Sequence, residues 1–254
     1  MNRGFARHYT SLQRIGPFDA PGLDVEEGHL RRLDRSPSDL AAILGYAAFL
    51  TEKDRLVDAE GMYRRALALP FHGRSDEHAD AMHAYATFLW LTDRSEKAEK
   101  FFQLGLSFNS QHFDILRNYG LAMLARGAYA GAKERFLRAS LLRPSDIKVK
   151  LGYAVCLEHM RMTPYEDVNR VYDEILKLAP KNFDALMAYA RFLKSHDKRL
   201  SAKECYEQAL AVKPTDVSAL CAYGTLLSEG SSGLQNPIPT IPGAGPPGVP
   251  SSKV

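Results

Sequence analysis

Eight histidines and three cysteines are the side chains here best suited to hold a metal or act as nucleophiles. Their spacing supports neither role. His72, His78 and His83 form the tightest histidine set, but they do not share one helix face, as a metal site on a helix requires. Cys156, Cys205 and Cys221 are odd in number and far apart. That is the pattern of structural thiols in a reducing compartment, not of a disulfide framework. The chain has no GxxxxGKS phosphate loop, no GxSxG elbow, no HExxH and no paired CxxC. The expectation is therefore a non-enzyme with no metal and no cofactor. Chemistry, if any, must lie in binding, and binding residues need elements to position them.

Bulk properties narrow the partner. The chain has 254 residues, 33 basic and 30 acidic, for a net charge of +3. Both signs alternate, as in Glu96-Lys97-Ala98-Glu99-Lys100. This is a solvated helix surface rather than the basic stripe that nucleic acid requires. No apolar run reaches the roughly 18 residues that span a bilayer. There is no N-x-S/T sequon, in keeping with a cytoplasmic protein. One feature points elsewhere. Arg3, Arg7 and Arg14 precede the first acid, Asp19, and Phe5, Tyr9, Leu12 and Ile15 fall at helical spacing. An acid-poor amphipathic start of this kind suits a mitochondrial presequence, although Gly16-Pro17 cuts it short.

The organising signal is a repeat. GYAAFL (45–50), AYATFL (84–89), NYGLAM (118–123), GYAVCL (152–157), AYARFL (188–193) and AYGTLL (222–227) place tyrosines at 46, 85, 119, 153, 189 and 223. A period near 34 marks stacked helical units. Each tyrosine precedes a small residue. Thirteen positions on comes Ala59, Ala98, Ala132 or Ala202, and seventeen on an aromatic, Tyr63, Phe102, Phe136 or Tyr206. Pro70, Pro144, Pro180 and Pro214 close the units. Small residues allow two helices to approach closely, aromatics fill the wedge between three, and proline ends the second helix. Asp39, Asp146, Asn182 and Asp216 then stand where a cap for the next helix is needed.

These residues resemble the tetratricopeptide repeat, most cleanly in the third unit, LRNYGLAMLARGAYAGAKERFLRASLLRPSD, with Gly127 and Tyr129 in its turn. The resemblance covers about 39–229. It departs in lacking the Trp early in the first helix, the single Trp90 lying elsewhere, and in having Tyr where Leu is usual. The unit is also similar to the half-a-tetratricopeptide repeats of RNA-processing scaffolds. Those carry an acid late in the first helix, where this chain has Leu50, Leu89, Met123, Leu157, Leu193 and Leu227.

The implied fold is all-α: a right-handed superhelical solenoid of about five antiparallel helix pairs plus a C-terminal capping helix. The pairs read as 39–51/55–69, 77–91/95–108, 113–125/128–142, 147–160/165–178 and 183–195/199–212. In the cap, 217–229, Leu220, Tyr223 and Leu227 are expected to cover the last pair while Thr225 and Ser228 face water. Residues 1–38 are an irregular segment in which His29–Leu33 is a remnant second helix. Phe71–Ser75 is an insertion, and the fourth unit gains two residues near Met162-Thr163-Pro164. Residues 230–254 are rich in Pro, Gly and Ser, the composition of a disordered tail. Two PxxP-type stretches and the Ser252-Lys253-Val254 ending add only short ligand-like patterns.

The resemblance implies that the first helix of each pair lines a concave groove for a protein or peptide partner. Its candidate residues are His83, Thr87, Arg117, Asn118, Lys148, Met187, Arg191 and Lys194, with Leu44, Ala48, Leu121, Leu151 and Val155 as apolar neighbours. The carboxylate clamp of chaperone-binding relatives is matched only by Asn118 and Lys148 of five places, which argues against it. The reading is a protein-interaction scaffold. An RNA-processing scaffold and a mitochondrial assembly factor are the alternatives.

Overall fold

A computed structural model describes residues 25–231 except 71, 72, 74 and 161. The expected targeting helix, the tail from residue 232 and most of the 71–75 insertion lie outside these residues. Among the described residues there are twelve α-helices and no strand. They are α1 (Val25–Arg35), α2 (Leu40–Glu52), α3 (Leu56–Leu67), α4 (Ser75–Leu91), α5 (Ser95–Phe108), α6 (Phe113–Ala125), α7 (Tyr129–Leu142), α8 (Ile147–His159), α9 (Tyr165–Leu178), α10 (Phe183–Ser195), α11 (Arg199–Val212) and α12 (Val217–Ser231). They form two compact units, divided after Leu178.

In the first unit, α2/α3, α4/α5, α6/α7 and α8/α9 are helical hairpins. Successive first helices also touch: α2 with α4, α4 with α6, and α6 with α8. The turns of the first three hairpins share one geometry, whereas the α8/α9 turn, two residues longer, differs: Met160 N–H donates to the Leu157 carbonyl and Thr163 N–H to that of Met160. Eight residues after Tyr46, Tyr85 and Tyr119 stand Asp54, Asp93 and Gly127, with φ of 60°, 62° and 77°. The left-handed conformation returns the chain so that Arg55 N–H, Arg94 N–H and Ala128 N–H donate to the carbonyls of Leu50, Leu89 and Met123, each at 2.9 Å. Between hairpins, Asp39 accepts from Ala41 N–H and Asp146 from Val149 N–H, satisfying otherwise open helix starts. His112 caps α6 in the same way through Nδ1.

The core follows the repeat phase. Ala59, Ala98 and Ala132, and the aromatics Tyr63, Phe102 and Phe136, are buried. The tightest place is around Phe136 on α7. A Cβ added to Gly120 of α6 would lie 2.9 Å from Phe136 Cε1, and one added to Gly152 of α8 would run into the same ring. The ring therefore lies between two glycines on consecutive first helices. Gly105 is equally confined, with Ile115 Cδ1 2.6 Å from a Cβ there.

The landmark tyrosines make a second connection that spans hairpins. Tyr85 OH donates to Glu60 of α3 at 3.0 Å, and Arg94 binds the other oxygen of Glu60 at 2.8 Å. Tyr119 OH donates to Glu99 of α5 at 2.8 Å, with Arg126 on Glu99 at 2.5 Å. Tyr46 OH donates to Glu26 of α1 at 2.9 Å, with Arg55 on Glu26 at 2.5 Å. Helix α1 thus stands where a second helix stands in the other units, and His29 packs on Tyr46 and Phe49.

The second unit holds α10, α11 and α12, packed in sequence. Asp197 (φ 58°) makes its turn, and Asn182 and Asp216 cap α10 and α12. One expectation is corrected in α12. Its buried residues are Ala219 and Leu226, whereas Leu220 and Leu227 are exposed; Thr225 and Ser228 are exposed as expected. The covered stripe runs through buried 219 and 226 and half-buried 222 and 223, so of the three expected residues only Tyr223 lies on it. Helix α12 also continues through Ser231, past the expected start of the tail at residue 230.

Replacing Gly152 by leucine places a side chain into the Phe136 ring. Overpacking of this kind costs at least about 1–3 kcal/mol, so Gly152→Leu is expected to lower the melting temperature by several degrees. Lys97→Ala, on the exposed side of α5, is expected to melt like the parent. Phe136→Leu added to Gly152→Leu is expected to recover part of the loss. Three identical melting curves would mean that the slot is not tight.

Candidate partner-binding face

Packing against the second helices leaves the opposite side of each first helix partly open. The two positions on either side of the landmark tyrosine, two residues before and two after, show this directly. In the first unit these are Leu44 and Ala48 on α2, His83 and Thr87 on α4, Arg117 and Leu121 on α6, and Leu151 and Val155 on α8. All eight are half-buried. Since these four helices touch in succession, the eight residues form one wall.

Its centre is polar and internally bonded. Asn118, one residue before Tyr119, is fully buried. Its Nδ2 donates to His83 Nε2 at 2.7 Å and reaches Thr87 Oγ1 at 3.4 Å. Arg117 Nε donates to Asn118 Oδ1 at 3.3 Å. Arg117 is also held by Asp114 at 2.7 Å and lies over the Phe113 ring, which Arg143 covers as well, its guanidinium carbon 3.9 Å from the ring centre. His83 sits 5.8 Å from the His112 ring, and His112 Nε2 meets Asp80 at 2.9 Å.

The structure thus brings His83, Thr87, Arg117 and Asn118 together as a brace between α4 and α6. Asn118 is turned inward and spent on this brace, so it does not face a partner, and a carboxylate clamp loses one of its two matching residues. Arg117 is likewise neutralised by Asp114. Lys148 is exposed at the start of α8. The other candidates belong to α10 in the second unit. There Met187 is buried at 7% exposure, part of an apolar run from Ala185 to Ala188, and does not offer the surface expected of it. Arg191 is exposed, and Lys194 binds Glu229 at 3.0 Å.

The brace sets the protonation of His83. Burial pushes its pKa down to about 4; Asp114 and Asp80 oppose the shift, while His112 and Arg117 add to it. Neutral His83 is the form that accepts from Asn118. Burial also lifts the Cys156 thiol to about 12, leaving it inert. Among the described residues, no His, Cys, Asp and Glu group could hold a metal ion. No described helix is long and apolar enough to cross a membrane. The residues that sequence reasoning missed are the bracing ones: Asp80, His112 and Asp114, together with Glu26, Glu60 and Glu99. The signal for two of the glutamates was present, since Glu60 and Glu99 each follow a landmark tyrosine by fourteen residues.

No protein-family model matches the chain, and no curated protein does. Solved structures do. YrrB, described as a tetratricopeptide-repeat protein with an unusual peptide-binding site, is similar at TM-score 0.57 and 18% identity, covering 78% of this chain and 99% of that one. PilF of Pseudomonas aeruginosa is similar at TM-score 0.63 and 17% identity, over 82% of this chain and 87% of that one. A tetratricopeptide-repeat protein of Parabacteroides merdae is similar at TM-score 0.63 and 16% identity, over 81% and 79%. At these identities the likeness is one of fold, and the fold is the tetratricopeptide repeat.

A histidine depressed by burial binds fewer protons folded than unfolded, so stability falls as pH drops from the usual 6.5 toward 4. Glu60 and Glu99 are lowered instead, chiefly by the bonds from Arg94 and Tyr119. Their contribution is present above about 4.5 and is lost below it. The melting temperature is therefore expected to fall in two stages on acidification. His83→Gln is expected to flatten the upper stage, between pH 6.5 and 4.5, leaving a residual slope from His29, which burial also depresses. An unchanged upper stage in the variant would show that His83 is not held neutral by the fold.

Proposed function

We propose that this tetratricopeptide-repeat fold serves as a non-enzymatic protein-interaction scaffold. Its partner is a peptide segment laid along the wall formed by α2, α4, α6 and α8. The observation that carries the reading is the row of half-buried positions flanking each landmark tyrosine. The helices hold these side chains in place without using their outer surface. The row is apolar at both ends, Leu44 and Ala48 on one side, Leu121, Leu151 and Val155 on the other. Its centre is polar but nearly neutral, because Arg117 is paired with Asp114. Such a face suits a segment with apolar anchors better than a polyanion. The peptide-binding site named for YrrB belongs to that protein; it supports the class of partner, not its identity.

Peptides selected on the full chain by display give the test. Leu121→Glu and Leu151→Glu are expected to weaken the selected peptides about tenfold or more, equivalent to about 1.4 kcal/mol. Lys148→Ala is expected to reduce their salt sensitivity, since exposed charges act within about 8 Å at physiological ionic strength. Leu141→Glu, on the exposed side of α7, is expected to bind as the parent does. Equal loss in the Leu141 variant, or no loss in the others, rejects the wall as the binding face.

A further inference from the structure

Helix α12 carries the residue pattern of a first helix, and its outer side is finished differently from that of α10. Thirty-four residues before Leu220, Gly224 and Leu227 stand Leu186, Ala190 and Leu193, all buried. On α12 the three are exposed, Leu220 at 48% and Leu227 at 46%, and among the described residues nothing lies within 4 Å of a Cβ placed on Gly224. The difference has a cause in the sequence. After α10 comes α11, with Ala202, Tyr206 and Ala209 buried in the repeat phase. After α12 the same phase meets Asn236 and Thr240, and residues 232–254 include six prolines. The alanine and aromatic pattern of a second helix does not recur there, Gly243 taking the third place.

We propose that this face of α12 is a self-association surface, on which a second copy of the chain lays its own α12 antiparallel, crossing at Gly224. Three observations favour a second copy as occupant. The stripe is nearly palindromic: Leu220 and Leu227 lie four residues before and three after Gly224. A two-fold axis near Gly224 therefore sets Leu220 on Leu227 of the partner subunit, and the reverse. The missing Cβ lets the two helix axes approach closely at the crossing. The charge also fits. Glu229 is the sole charged residue of α12, and Lys194 neutralises it. An isologous contact opposes a face to itself, so net charge would repel, and this stripe has none. A 15-residue helix is about 22 Å long, and one helix pair is a small interface. The dimer is therefore weak and concentration-dependent. This inference is independent of the partner-binding wall.

Sedimentation of the full chain over a wide concentration range, under reducing conditions so that the exposed Cys221 forms no cross-link, tests it. The parent is expected to shift from monomer to dimer mass with concentration. Leu220→Lys with Leu227→Lys is expected to weaken association at least about tenfold without lowering the melting temperature. Gly224→Glu, whose Cβ has no neighbour within 4 Å among the described residues and which removes a helix-interior glycine, provides a second variant should the first not fold, and is expected to stay monomeric. Leu200→Lys, an exposed change on α11, is expected to associate like the parent. A parent that is monomeric at every concentration overturns the proposal, leaving the face to another helix or to residues 232–254. So does a dimer that survives both α12 variants.

Discussion

An aromatic ring laid against glycine is the contact on which the hairpins depend. Phe136 has room only because Gly120 and Gly152 lack a Cβ, and these glycines belong to two different first helices. One side chain therefore fixes both the separation within the α6/α7 hairpin and the distance to α8. At the equivalent positions 47, 86 and 154 the small residue is alanine, buried in each case. A single hairpin cannot enclose its aromatic, since the third wall comes from the next unit. Stability is thereby a property of neighbours, as expected of stacked repeats.

A polar ladder overlies this apolar contact. Each tyrosine hydroxyl at 46, 85 and 119 emerges from the core beside a glutamate of the preceding second helix, and an arginine closes the group. A buried tyrosine needs a partner for its hydroxyl. Here the need is met across a hairpin boundary, so the bond also fixes how one pair sits on the last. The ladder draws α1 into the stack, although its own residues carry little of the repeat pattern. It changes character where Lys133 occupies the place of the next glutamate.

What was readable in advance follows from how strictly physics selects residue type. Close helix contact admits only small residues, so the period, the hairpins and the buried Ala and aromatic positions could be read from the chain. Capping admits few side chains, so Asp39, Asp146, Asn182 and Asp216 could be read too. The left-handed turn is looser. Gly127 was evident, but Asp54, Asp93 and Asp197 fill the same position and resemble any surface acid. Helix faces were legible only to within one step. Leu220 and Leu227 share the helical period with Ala219 and Leu226, and only the packed neighbours decide which pair is buried. The binding candidates were the least legible. Asn118 and Arg117 read as groove polars because their partners, His83, Thr87 and Asp114, become neighbours through tertiary packing and local geometry that spacing alone does not reveal.

The repeat divides its positions between two kinds of demand. The residue after each landmark tyrosine is Ala or Gly in all six units, and in the five that a second helix follows it is buried against that helix. Two residues before the same tyrosine stand Leu44, His83, Arg117 and Leu151, four side chains with three different chemistries. Packing between helices tolerates this diversity, since all four are only half-buried. Part of it is spent internally, as in the brace joining His83 to Asn118. The remainder, Leu44 at one end and Leu151 at the other, is half-buried and leaves part of its apolar surface in water. Apolar surface kept in a row on a rigid wall gives a partner something to bury, which is why the proposed function places specificity on this face rather than in the core that holds it.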